Sequence, residues 1–165
     1  MRFVLDASVA LSWLLDDAGA GQAYAVATFD VLTRAGAEAF VPATWSLEIA
    51  NVIAKSEAPG ILLPNRSQAF LSALGAAPVE CDGDSHSRAL SETSALARRY
   101  GLSGYDASYL ELALRRGLPL ATLGKDLANA AQRAGIKRFQ VRSWRRLFRA
   151  APIPPRSPGS HGSLR

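Results

Sequence analysis

The chain is poor in the residues that much metal and redox chemistry relies on. It has one cysteine, Cys81, in 165 residues. That excludes an internal disulfide and any multi-cysteine zinc site, and it fits a reducing compartment. The two histidines, His86 and His161, are too few for a histidine-rich metal site or a paired-histidine acid/base mechanism. No apolar run approaches the roughly 20 residues that a bilayer demands. The apolar stretch from Ala7 to Leu15 is bracketed by Asp6 and by Asp16-Asp17, with no convincing cleavage site after it, which is unlike a signal peptide. The expectation is a cytoplasmic protein without membrane contact. Acidic side chains are also missing from one region: none follows Asp126.

The rest is ordinary for a single globular domain, with 48% hydrophobic and 20% charged residues. The net charge of +5 is unevenly spread. Residues 1–97 carry five Lys/Arg against eleven Asp/Glu, and residues 98–165 carry fourteen against three. A basic half of this kind attracts a polyanion, most often nucleic acid, or simply forms a solvated face.

Short β-prone runs alternate with helical stretches. Strands are predicted at Arg2–Leu5, Ala39–Val41, Pro78–Cys81, Pro119–Thr122 and Arg138–Val141. Helices are predicted at Ser8–Leu15, Gln22–Arg34, from Thr44 to about Ser56, Pro64–Leu74, Ser87–Tyr100, from Ser103 to Arg116, and Lys125–Ala134. Alternation of this kind implies βαβ crossovers and a mainly parallel sheet of about five strands covered on both faces, an α/β fold in three layers, α/β/α. Residues 1–148 form the expected domain. Residues 149–165, rich in proline, glycine and serine, form an expected flexible basic tail.

In open parallel sheets, ligands bind beyond the C-terminal strand ends. Asp6 ends the first predicted strand there; standing alone, it reads first as a helix N-cap. Glu48 lies on a helix with Asn51 on the same face, a ligand-holding pair or a solvated polar stripe. Asp106 falls in the first turn after Ser103, where it suits the helix dipole as well as a site. Asp126 has the same ambiguity. If the fold gathers Asp6, Glu48 and Asp106, their repulsion demands a proton or a counter-charge. Oxygen-only ligands suit Mg²⁺ or Mn²⁺, which activate water and stabilise charge in phosphodiester cleavage.

The segments Val4-Leu5-Asp6-Ala7-Ser8, Leu47-Glu48-Ile49-Ala50-Asn51, Tyr105-Asp106-Ala107-Ser108-Tyr109 and Leu120-Ala121-Thr122-Leu123 resemble, in order and spacing, the PIN-domain ribonucleases, and among them the VapC-type toxins of bacterial toxin–antitoxin pairs. The resemblance runs from Arg2 to about Trp144. It implies a metal-dependent endoribonuclease of PIN-like α/β/α fold, with an RNA substrate, a cognate antitoxin protein and a homodimer. Asp6, Glu48 and Asp106 match the family's metal-binding acids, and Ser8 and Asn51 match polar positions that support them. Thr122 joins them as a supporting residue. The family's fourth acid is replaced by Gly124, with Asp126 two residues later, which bears on whether one ion or two is held. Arg115, Arg116 and Lys125 are candidate contacts for RNA phosphates.

Three other readings compete. A PIN-like module could bind RNA or protein without turnover, given Gly124. A DNA nuclease would call for further acids. An aspartate-nucleophile phosphatase has a second aspartate where this chain has Ser8. Cys81 reads as a small core residue on a strand, Trp13, Trp45 and Trp144 as core or interface anchors, and His86 as a surface turn residue.

Overall fold

Phe3, Val4 and Leu5 are apolar in succession, as suits a strand covered on both sides. In the computed structural model, which describes residues 1–15, 20–34 and 36–141, they form β1 (Arg2–Leu5) and are buried. The elements that follow are α1 (Ala7–Leu11), α2 (Ala20–Arg34), β2 (Glu38–Val41), α3 (Trp45–Glu57), α4 (Pro64–Ala76) and β3 (Val79–Cys81). After a π-helical turn (Ala89–Thr93) come α5 (Ser94–Tyr100), α6 (Gly104–Arg116), β4 (Leu120–Ala121) and α7 (Lys125–Arg133).

The sheet is wholly parallel, in the order β3-β2-β1-β4. Right-handed crossovers send α1 to α4 over one face, and the return from β3 to β4 sends α5 and α6 over the other. Three layers result, α/β/α. The register Leu5↔Ala121 aligns the ends of β1 and β4.

Four strands form where about five are expected. Arg138–Val141 contributes one bridge, Leu120↔Arg138. Its apolar character serves packing instead. Phe139 is buried and stacks on Phe3 at 4.0 Å between ring centroids, and Tyr24 Oη donates to its carbonyl at 3.0 Å. The predicted helix Ser87–Tyr100 also divides, into the π-helical turn and α5. Cys81 ends the edge strand β3 and is exposed, not in the core; Trp144 and the expected tail 149–165 lie outside the described residues.

Helix α6 is bounded as its sequence suggests. Ser103 Oγ accepts the Asp106 N–H at 3.0 Å, and Gly117 adopts φ 63° just past the last turn, a left-handed conformation that glycine takes freely. Its far end is locked by charge. Asp82, 1% exposed, accepts from Arg115 Nη2 and Arg116 Nη2, each at 2.6 Å, and from Ser85 Oγ at 2.8 Å. Glu111, also buried, takes Arg115 Nε at 2.8 Å. Desolvation works against the charged form of Asp82, but the two guanidinium groups and Ser85 outweigh it and hold its carboxyl well below the usual range. Asp82→Ala leaves both arginines without this acceptor. It is expected to cost about 3 kcal/mol of stability in urea denaturation; a cost under about 1 kcal/mol would mean that the cluster does not hold α6 to the end of β3.

Candidate active site

The apolar strand β1 delivers Asp6 to the C-terminal rim of the sheet. Its N–H donates to Ala121 O at 3.0 Å, continuing the β1–β4 pairing one residue past the strand. The residue is 5% exposed. Ser8 Oγ donates to Oδ2 at 2.5 Å and Thr122 Oγ1 donates to the same oxygen at 2.6 Å. Each hydroxyl oxygen in turn accepts a backbone N–H: Leu123 N–H to Ser8 at 3.1 Å, Gly124 N–H to Thr122 at 3.0 Å. These acceptor roles leave the hydroxyl protons to Asp6, and neither hydroxyl occupies Oδ1. Burial pushes the Asp6 pKa up; the two hydroxyls pull against that, and the charge of Asp106 adds to it.

Glu48 enters from the first turn of α3 and is half-buried. Tyr109, fully buried on α6, donates its Oη to Glu48 Oε1 at 2.6 Å. Burial raises the Glu48 pKa, Tyr109 counters it, and the charges of Asp6 and Asp106 raise it further. Burial, with the bond to Glu48, holds the Tyr109 hydroxyl far above its ordinary value, so it remains a donor. Asp106 is set by a reciprocal cap, in which Ser103 Oγ also donates to its Oδ2 at 2.9 Å. Ser108, on the same helix, lies 3.3 Å from Thr44 at the start of α3. Thr44 sits at the N-cap position without making the cap bond, its hydroxyl turned toward α6.

The three acids therefore share one rim, close enough for Asp106 to bear on Asp6 and for both to bear on Glu48. Among the described residues, no lysine or arginine figures among the main influences on Asp6 or Glu48. Such a donor set, hard carboxylate oxygens in electrostatic conflict, fits a hard divalent cation. Among the described residues, no three His, Cys, Asp or Glu side chains stand close enough to enclose an ion as they are.

The other candidates are placed differently. Asn51 is exposed one turn after Glu48. Lys125 and Asp126 are exposed at the start of α7. Gly124 is one hydrogen bond from Thr122, and a Cβ built on it would meet Thr122 Oγ1 at 3.4 Å, an ordinary contact. Arg115 and Arg116, expected at RNA phosphates, have a competing use: both are committed to Asp82, about 13 Å along α6 from Asp106. Tyr109 was not among the candidates. An aromatic residue three positions after Asp106 reads as core, and only its phenolic tip betrays a second role.

A family model for the PIN domain matches residues 3–133. The chain belongs to the PIN-domain family. Its fold is similar to the crystal structure of PAE2754 from Pyrobaculum aerophilum, at 22% identity over 79% of each chain with a TM-score of 0.57. It is also similar to FitAcB from Neisseria gonorrhoeae, at 17% identity over 86% of this chain and 98% of that one, with a TM-score of 0.54. At these identities the likeness is one of fold. No curated protein sequence matches this PIN domain significantly.

Two outcomes follow for stability. Because the Asp6 and Glu48 pKa values are raised in the fold, their contribution is fully present below the ordinary carboxyl values and is lost as pH rises through the raised ones. Asp82 has the opposite sign: its contribution is present above the ordinary value of 3.8 and is lost as pH falls below it. In EDTA, the melting temperature should rise on mild acidification from neutral pH, then turn over in stronger acid. Asp6→Asn should melt a few degrees higher than wild type at neutral pH and show less of the acid-side rise. A lower melting temperature for Asp6→Asn would contradict this electrostatic account. Tyr109→Phe, which strips a donor from Glu48, should cost about 1–2 kcal/mol by urea denaturation; no loss would mean that the Tyr109–Glu48 bond is idle.

Proposed function

We propose that this PIN domain is a metal-dependent endoribonuclease of the VapC type, the toxin of a type II toxin–antitoxin pair. One observation carries the reading: a buried Asp6 held through a single oxygen, with the charge of Asp106 acting on it and, among the described residues, no basic side chain among its main influences. Asp6 and Asp106 are the residues to hold Mg²⁺ or Mn²⁺, with Glu48 beside them and Asp126 more remote. When bound, such an ion supplies positive charge that makes water a stronger nucleophile and stabilises charge on the phosphate.

The chain's own residues do the rest. Ser8 and Thr122 fix the Asp6 carboxyl so that Oδ1 can face a ligand. Tyr109 fixes Glu48 through Oε1, leaving Oε2 to orient the attacking water or to take its proton. The water oxygen attacks phosphorus in line, and the bond to the leaving ribose oxygen breaks as that oxygen takes up a proton from solvent. Lys125, exposed just past Gly124, is suited to a backbone phosphate. The antitoxin partner and the homodimer rest on the likeness of the four motifs to VapC-type toxins. A second reading, an RNA-binding module without turnover, draws on Gly124 standing where those toxins carry a fourth acid.

Purified full-length protein incubated with RNA, and with DNA in parallel, decides between them. RNA should be cut with Mg²⁺, left intact with EDTA, and left intact by Asp6→Asn. Cutting that survives Asp6→Asn would refute the site, RNA binding without cutting would favour the second reading, and cutting of DNA alone would reverse the substrate class. In cells, Asp6→Ala should lift any growth inhibition while leaving the protein folded.

A further inference from the structure

With Arg115 and Arg116 committed to Asp82, an RNA strand at the acids needs other cations for its phosphates. A groove of about 890 Å³ lies at the β4 edge of the sheet, against α7 and the residues after it. Thr122, whose hydroxyl donates to Asp6 at 2.6 Å, lines it where it meets the rim. Arg2, Lys137 and Arg138 line it further down, and among the described residues no Asp or Glu does. Arg138 is level with Leu120, just before Thr122 along the strand direction. Arg2 begins β1, about 13 Å before Asp6. Helix α7 forms the other wall with Asn129 and Gln132. Lys125 and these two amides, all exposed, recur at i, i+4 and i+7, one face leading about 10 Å from the rim.

We propose that this groove is a phosphate track, which holds the RNA backbone on one side of the scissile phosphate. It rests on the ribonuclease reading above and names how that site would hold its substrate beyond the cut. Lys125 takes a phosphate at the rim, and Lys137, Arg138 and Arg2 take those further along. The amides of Asn129 and Gln132 donate between them, to phosphate or ribose oxygens. Two of the cations have other contacts, and neither contact closes the track. Arg138 lies over the Tyr24 ring at 4.3 Å, which occupies the face of its guanidinium and leaves edge N–H groups for phosphate. Arg2 pairs with Glu38 at 3.4 Å, but both side chains are more than half exposed, and an ion pair of that kind is weak enough for phosphate to displace. Cations and amides of this sort grip backbone rather than bases, so the track adds affinity without sequence preference.

The test measures binding of single-stranded RNA to full-length protein in EDTA over a range of salt, and cutting of the same RNA with Mg²⁺. Lys137→Gln combined with Arg138→Gln should lower the slope of log Kd against log salt by about 1.4 and weaken binding about tenfold at 0.1 M salt. Gln132→Lys should do the reverse, steepening the slope by about 0.7 and tightening binding, a gain that misfolding cannot imitate. Lys55→Gln, an exposed charge on α3 outside the groove, should leave the slope nearly as it was. A methylphosphonate in place of one phosphate away from the cut should weaken binding to wild type, and that loss should shrink in the double variant. If wild type cuts RNA but the double variant keeps the wild-type slope, or Gln132→Lys leaves it unchanged, the track is overturned while the nuclease reading stands. A slope that responds to these variants in a protein that never cuts would keep the track and refute the nuclease. If wild type neither binds nor cuts RNA, both fall.

Discussion

A carboxyl buried in a protein interior stays charged only when hydrogen bonds and positive charge offset its lost hydration. Asp6 has the hydrogen bonds and, among the described residues, no basic side chain figures among its main influences. The surroundings are arranged around that imbalance. The register of β1 on β4 brings Thr122 alongside it, the turn into α1 brings Ser8, and the backbone amides of Leu123 and Gly124 hold both hydroxyls in the donating sense. Glu48 and Asp106 then come from helices in different layers, α3 and α6, so the three acids meet only if the sheet and both layers are in place.

The same helix α6 carries two kinds of electrostatics. At its start, Asp106 adds negative charge to a rim that, among the described residues, draws little on cations. At its end, Arg115 and Arg116 are absorbed by Asp82 and Glu111, which keeps these guanidinium groups from neutralising the rim. The excess of basic residues in the second half of the chain is therefore partly structural: what composition counts as a polyanion-attracting surplus is in part the internal counter-charge of buried acids.

Much of the architecture was legible because local signals agreed. Three successive apolar residues marked β1, and Ser103 and Gly117 marked both ends of α6. The run at Arg138–Val141 misled because a stacked phenylalanine and a strand residue share the same apolar signature, and pairing depends on a neighbour that sequence does not reveal. The π-helical turn at Ala89–Thr93 leaves no compositional trace. Within the site, the strand-end rule pointed to Asp6, whereas Tyr109 reads as core because most of it is core. The Asp82–Arg115–Arg116 cluster joins residues over thirty positions apart, a distance at which charge alone predicts no partner.

The seam between β1 and β4 has one more consequence. β4 is only two residues long, and beyond it the sheet continues as a single bridge. Local opening is cheapest where few main-chain bonds must break. Fraying at this margin would withdraw Thr122 and the Leu123 and Gly124 amides from Asp6 while the interior between β1 and β2 stayed closed. On warming, the protein would then lose the hydrogen bonds that hold Asp6 before its fold, and amide hydrogens on the β4 side would exchange with solvent sooner than those of β2.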